Sequence, residues 1–204
     1  MRIVGGALRG RKLKAPPGAA VRPTSDRARE ALFNLLAHGA ALRGLSLNGA
    51  VVLDAFAGTG ALGLEALSRG AVRAIFLESD RAALAALAAN VRALGQEDRA
   101  LVVARDATRP GPPSNVPAKA GIGGPAPAEA SIAFLDPPYG SGLAAPALAA
   151  LAQAGWLADG ALAVVEHGAR EALQPPAGFE RLDERRYGAA MLSFLRWRGG
   201  AESD

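Results

Sequence analysis

Four acidic residues stand where four short apolar runs end. Asp54 follows Val51-Val52-Leu53, Glu78 follows Ala74-Ile75-Phe76-Leu77, Asp106 comes shortly after Leu101-Val102-Val103, and Asp136 follows Ile132-Ala133-Phe134-Leu135. Apolar, β-branched and aromatic runs bounded by turn signals read as buried strands. Open α/β sheets bind ligands at the carboxyl ends of their strands, so four carboxylates are expected along one edge. After Asp54 come Gly58, Gly60 and Gly63, then Leu64-Glu65-Ala66-Leu67, which reads as helix, with Gly70 as its stop. Glycines let a backbone approach a ligand closely, and a helix start presents N–H groups to it. Glu78 lies about twenty residues beyond this turn, where a carboxylate accepts both hydroxyls of a ribose. Asp106 is placed to take an adenine amino group. The set suits an adenosine cofactor. Gly58-x-Gly60-x-x-Gly63 also spells the dinucleotide fingerprint, so the turn alone leaves the kind of cofactor open.

The stretch Asp136-Pro137-Pro138-Tyr139-Gly140 discriminates. Two consecutive prolines force an extended backbone at a strand end and remove two N–H donors. What remains is acceptors: the Asp136 carboxylate and the Pro137 carbonyl. An exocyclic amino group, which carries two donors, fits them. Tyr139 adds a flat face on which a base can stack.

The elements that position these groups alternate. Between the strand ends lie a helix after the glycine turn and a second from Arg81 to Leu94, capped by Ser79 or Asp80 and ended by Gly95. Strand, helix, strand at this spacing implies parallel strands with right-handed crossovers. A further helix is expected over Ala147 to Ala154, then a strand over Ala161 to Val165 ending in Glu166. A closing pair follows, Phe179 to Arg185 and Ala190 to Trp197, joined near Tyr187-Gly188. Residues 109–130, rich in proline and glycine, read as a flexible surface insertion without regular structure. Ahead of the alternation, Arg2 to Lys14 reads as a glycine-rich β-hairpin with Arg9-Gly10 near its turn. A helix starting after Thr24 or Ser25 carries Ala28, Ala31, Leu32, Leu35 and Leu36 on one face and Arg27, Glu30 and Asn34 opposite. Its first turn, with free N–H groups and Arg27, can face a ligand's carboxylate or phosphate.

At 204 residues, half of them apolar, the chain has the size of one α/β domain with a small extension. It has no apolar run near the ~20 residues of a membrane span and no recognisable signal peptide. Cysteine is absent and only His38 and His167 are histidine, which excludes disulfides, thiolate sites and a His-rich metal site. No metal is expected, and a cytoplasmic protein is. The net charge is +4 and unevenly placed. Residues 1–30 hold Arg2, Arg9, Arg11, Lys12, Lys14, Arg22, Arg27 and Arg29 against Asp26 and Glu30, a net +6 that leaves the rest near −2. A basic arm on a near-neutral domain points to a polyanionic partner.

Phe56-Ala-Gly-Thr-Gly60 followed by Asp136-Pro-Pro-Tyr139 resembles the S-adenosylmethionine-dependent amino-methyltransferases. Arg2-Ile-Val-Gly-Gly6, Arg9-Gly-Arg-Lys-Leu13 and Arg22-Pro-Thr-Ser-Asp-Arg-Ala-Arg-Glu-Ala-Leu-Phe-Asn34 narrow the resemblance to the RsmD family, which methylates N2 of one guanine in bacterial 16S ribosomal RNA. The similarity covers roughly residues 1–108 and 131–197 and leaves out the insertion. It implies a Rossmann-like class I methyltransferase: a seven-stranded, mostly parallel sheet with an antiparallel closing strand and an N-terminal β-hairpin arm. It divides the chain into an arm over 1–20 and a methyltransferase domain over 21–199. It implies S-adenosyl-L-methionine held by Thr24, Asp54, Phe56, Gly58, Gly60, Glu78 and Asp106, and catalysis by Asp136, Pro137, Pro138 and Tyr139. RNA contact falls to Arg9, Arg11, Lys12, Arg22, Arg27 and Arg29. The partner is 16S ribosomal RNA or the small ribosomal subunit, and the enzyme is expected to be a monomer.

Three other readings compete. A DNA adenine-N6 methyltransferase would use the same acceptors, but the chain has no room for a DNA-recognition domain. An NAD-dependent dehydrogenase would use the glycine turn, yet would leave Asp136-Pro-Pro-Tyr139 idle and needs a substrate domain. A non-catalytic RNA-binding protein could have kept the fold.

Overall fold

A computed structural model describes residues 1–16, 26–38, 46–115 and 129–199. In chain order its elements are α1 (Asp26–His38), β1 (Val51–Ala55), α2 (Ala61–Ser68), β2 (Arg73–Glu78), α3 (Arg81–Ala93), β3 (Ala100–Ala104), β4 (Ala130–Leu135), α4 (Ala144–Gln153), β5 (Leu157–Gly168), β6 (Phe179–Tyr187) and β7 (Ala190–Trp197). The strands form one seven-stranded sheet in the order β3-β2-β1-β4-β5-β7-β6. β1 to β5 pair in parallel, and β7 is antiparallel to both β5 and β6. The expected strand order along the chain and the antiparallel closing pair are therefore present. Among the described residues no helix is long and apolar enough to cross a membrane.

The parallel strands read as continuous apolar runs because both faces are covered, and side chains alternate between faces with period two. Val52, Ala74, Phe76, Val102, Ile132 and Phe134 meet Leu32, Phe33 and Leu36 of α1, Leu64 and Leu67 of α2, and Leu87 and Val91 of α3. Their strand neighbours Leu53, Ile75, Leu77, Val103, Ala133 and Leu135 meet Leu148 and Leu151 of α4 and the buried Trp156. At Gly63 the contact between α2 and β2 is close enough to require glycine: a Cβ there would lie 2.3 Å from the Phe76 ring. Asp80 caps α3 by accepting from Ala83 N at 2.8 Å.

Two segments gain detail. First, residues 1–13 run antiparallel over a short stretch around the bridge Arg2 to Lys12: Leu13 N donates to Met1 O at 3.1 Å, Ile3 N to Arg11 O at 2.9 Å and Gly10 N to Ile3 O at 2.9 Å. The segment does not stand away from the domain but is fastened to α2 and α3. Glu65 accepts from Val4 N at 2.7 Å and Gly5 N at 2.8 Å, and Ser68 Oγ donates to Gly5 O at 2.6 Å and accepts from Leu8 N at 2.9 Å. Asn90, buried on α3, accepts from Lys14 N and donates to both Lys14 O and Thr59 O, tying the arm to the glycine turn. Residues that cannot pair in a ladder take side-chain partners instead. Second, the start of the proline-rich insertion is anchored: Trp156 Nε1 donates to Gly111 O at 2.7 Å and Arg105 donates to Pro112 O at 3.2 Å. Residues 116–128 lie outside the described residues.

Candidate active site

β1 delivers Asp54 to the sheet edge and the chain turns at once. Phe56 has φ +63°, a left-handed conformation that costs a non-glycine residue of order 1–3 kcal/mol and persists only where its surroundings impose it. Ala57 N donates to Leu77 O and Gly60 N to Ala57 O, which fold the turn back onto β2 and start α2. Asp54 Oδ2 accepts from Gly63 N at 2.8 Å, so the acid that ends the strand also holds the first turn of the helix. Above Gly58 the space is open: a Cβ built there would meet only the Phe56 carbonyl oxygen, at 3.9 Å.

Glu78 is the hinge pin of this edge. Its Oε2 accepts from Gly58 N at 2.8 Å, and its Oε1 accepts from Ser79 N at 2.7 Å and Asp80 N at 2.8 Å. The carboxylate thus joins the glycine turn to the start of α3. Asp106 is exposed and closes its own turn, accepting from Thr108 N at 2.8 Å and Thr108 Oγ1 at 2.9 Å. Thr24, expected beside the cofactor, lies outside the described residues, as does Arg22.

Register brings the second motif to the first. Ala55 pairs with Leu135, so Phe56 and Asp136 leave neighbouring strands side by side. Leu135 also pairs with Val165, which sets Glu166 of β5 beside Asp136. Pro137 is buried, while Pro138 and Tyr139 are exposed. Two carboxylates absent from the expected site fix this loop: Tyr139 Oη donates to Glu166 at 2.6 Å, and Gly140 N donates to Glu171 at 2.6 Å. Glu166 ends a strand just as the other acids do, a signal present in the sequence. Glu171 carries no such signal, because only the folded chain brings residue 171 next to residue 140.

The acids repel one another. Burial pushes the Asp54 carboxyl well above the usual carboxylate range, the Gly63 N–H opposes the shift, and the nearby charges of Asp136 and Glu78 add to it. A concentration of negative charge that a fully buried acid resists is the setting a cation would relieve. The sign of the pH effect follows. A folded-state pKa raised above the ordinary 3.8 favours the protonated form; that stability is fully present below 3.8 and is lost as pH rises through the folded value. Asp54→Asn cannot titrate yet still accepts from Gly63 N. Its stability relative to the wild type is expected to rise with pH above 3.8 and then level off, read from urea midpoints across a pH series. A difference independent of pH would show that Asp54 titrates alike in both states.

The basic residues separate into two groups. Arg9, Arg11, Lys12 and Arg27 are exposed. Arg29, expected to contact RNA, is buried at 1 % exposure, with Nε 3.9 Å from Glu65 and its guanidinium donating to Arg2 O. This corrects the expectation. Arg29, Leu32, Phe33 and Leu36 recur at helical spacing and are all buried, so the inward stripe of α1 begins with the arginine. His167 is buried against Ser193 Oγ at 2.8 Å, which in turn donates to Glu184; it is part of the β5–β7 packing.

Comparison with known proteins identifies the family. Residues 1–196 match the family described as Conserved hypothetical protein 95. The chain is 38% identical over its whole length, and 93% of the relative's, to Ribosomal RNA small subunit methyltransferase D of Escherichia coli. It is 33% identical to the protein of the same name from Haemophilus influenzae, over 92% of this chain and 89% of that one. A solved structure from Escherichia coli, 36% identical, superposes with a TM-score of 0.75 over 98% of each chain. An RNA methyltransferase from Salinibacter ruber, solved with S-adenosyl-L-homocysteine, is 13% identical and shares the fold, with a TM-score of 0.59 over 90% of this chain and 98% of its own. The chain belongs to the RsmD family of ribosomal RNA small subunit methyltransferases.

Proposed function

We propose that this chain transfers a methyl group from S-adenosyl-L-methionine to the exocyclic N2 of a guanine in small-subunit (16S) ribosomal RNA, in the cytoplasm where that RNA resides. One observation carries the reading: an acceptor-only strand end, Asp136-Pro137-Pro138, stands beside the glycine turn that starts at Phe56. S-adenosyl-L-methionine, when bound, supplies a methyl group already activated on a sulfonium. The residues present fit it. Gly58 leaves room above the turn, Glu78 Oε2 keeps a lone pair for a ribose hydroxyl, and Glu78 and Asp136 form the negative field a sulfonium prefers.

The chain's own residues have little bond-making to do. A guanine N2 is a poor nucleophile because its lone pair is delocalised into the ring, so positioning matters more than a strong base. Asp136 and the Pro137 carbonyl accept from the two amino hydrogens and favour a pyramidal nitrogen. Asp136 stabilises the positive charge that grows there. Tyr139 stacks on the base once it has left its RNA stack, its ring held by the bond to Glu166. Transfer of labelled methyl from the cofactor to unmethylated ribosomal RNA, with the product nucleoside identified by mass spectrometry, tests the reading. Label in N6-methyladenine, or no label in RNA, would overturn it.

Two further outcomes are expected. Glu78→Ala is expected to weaken S-adenosyl-L-methionine binding by roughly 2–3 kcal/mol, the scale for hydrogen bonds to a charged group. Unchanged affinity in calorimetry would remove Glu78 from the cofactor site. Replacing the exposed Arg9, Arg11 and Lys12 with Gln is expected to weaken RNA binding and flatten its salt dependence while leaving cofactor affinity alone. An unaltered salt slope would assign the arm to packing only.

A further inference from the structure

A hollow of about 450 Å³ opens beside the Asp136–Gly140 loop, between the end of β5 and the tip of the β6–β7 hairpin. Arg170, Glu171, Arg186 and Gly188 line it. We propose that this hollow binds a backbone phosphate of the RNA next to the target guanine, held by the Arg170 and Arg186 guanidiniums. The inference rests on the RNA-methyltransferase reading above and names a subsite for it.

Charge and exposure together set these two arginines apart from their neighbours. Arg185 Nε lies 2.9 Å from Asp183, Arg181 lies 3.2 Å from Glu184, and Arg198 pairs with Glu180, while Arg196 of β7 is half-buried. Among the described residues Arg170 and Arg186 have no such ion pair. Arg186 donates through Nε to Gly188 O at 3.1 Å, which holds it at the hairpin tip. Both are exposed. The Glu171 carboxylate, also in the wall, accepts from Gly140 N; its single negative charge opposes a phosphate, and the two guanidiniums outweigh it. A guanidinium presents a planar fork of donors that matches phosphate oxygens two at a time.

Position and size agree. The wall of the hollow is bonded to the residue that follows Tyr139, and Ala169 N donates to Ala189 O at 2.8 Å, which joins the two sides. A nucleotide seated there is the covalent neighbour of a base stacked on Tyr139. The volume falls in the range of small-ligand sites and accepts one nucleotide unit. Stacking on Tyr139 is indifferent to sequence, and phosphates carry none. The hollow therefore sets the register of the strand at the site, so that the extruded base meets Asp136.

The test compares wild type, Arg170→Gln/Arg186→Gln and Arg186→Lys, using unmethylated small-subunit ribosomal RNA as substrate. In the double variant the RNA concentration for half-maximal methylation is expected to rise at least about tenfold, the scale of one lost charge-assisted hydrogen bond. The slope of log affinity against log salt is expected to fall by roughly 0.7–0.9, for one neutralised phosphate. S-adenosyl-L-methionine affinity and the thermal midpoint are expected to stay as in wild type, and Arg186→Lys to keep most of the RNA affinity. Neutral methylphosphonate linkages placed singly around the target are expected to weaken wild type at one position, and the double variant at that position not at all. Equal half-saturation and salt slope in wild type and double variant, or the same linkage penalty in both, would overturn the phosphate site alone. A wild-type chain that methylates no ribosomal RNA would overturn the proposed function with it.

Discussion

Asp136→Ala is expected to lower kcat for RNA methylation by roughly 10²–10³, by comparison with removing one oxyanion-hole contact. The carboxylate leaves β4 at a strand end whose neighbours on both sides are paired, with Pro137 buried behind it. It is held still, and a still charge costs no reorganisation when the reaction develops charge opposite it. The amino group it faces is neutral in the ground state and gains positive charge as the methyl transfers. The interaction therefore strengthens in the transition state, and its loss falls on kcat more than on KM. Asp136→Asn is expected to lose less, since an amide carbonyl still accepts one hydrogen bond. Cofactor affinity is expected to change little in either variant. Near-normal turnover by Asp136→Ala in single-turnover assays would remove the Asp136–Tyr139 loop from the chemistry.

The second large effect lies in the frame. Glu65 is fully buried on α2, and four groups converge on it: Val4 N, Gly5 N, Arg69 Nε at 2.7 Å and Arg29 Nε at 3.9 Å. Glu65→Leu removes the carboxylate facing a buried guanidinium and leaves two backbone donors of the arm to find other partners. Breaking a buried pair from one side costs roughly 3–5 kcal/mol. The loss is expected as a lower urea midpoint, with the arm becoming protease-sensitive first. Glu65→Gln, which keeps a carbonyl acceptor, is expected to lose less. Arg29→Met combined with Glu65→Leu is expected to recover part of the loss, because the fully buried Arg29 guanidinium is then removed together with its counter-charge and only Arg69, whose side chain reaches solvent, loses its partner. A Glu65→Leu midpoint matching wild type would mean that the arm packs through Ile3 and Leu13 alone.

Much of the site is legible in the sequence because its signals are local. Strand ends carry Asp54, Glu78 and Asp136 within a residue or two of an apolar run. The left-handed turn announces itself through Gly58 and Gly60. The two prolines after Asp136 restrict the backbone wherever the strand is placed. Such features depend on φ/ψ preferences and on periodicity, which neighbours in sequence decide. The order of strands and helices follows the same way, and the parallel crossovers follow from spacing.

Other features depend on partners far along the chain. The sequence determined that residues 2–14 are basic and glycine-rich; only the tertiary structure decided that they lie on α2 and α3, bonded to Glu65, Ser68 and Asn90 some sixty to seventy-six residues away. The sequence put Arg29 on an amphipathic helix; packing decided that its charge turns inward to Glu65, since a buried carboxylate makes that burial tolerable. Tyr139 could be read as a stacking surface from its place after two prolines. That Glu166 holds its hydroxyl and Glu171 holds the next backbone N–H follows from β4 lying beside β5, a long-range pairing that no local pattern encodes. Short-range sterics determine which residues reach the sheet edge, and the pairing of distant strands decides which of them meet.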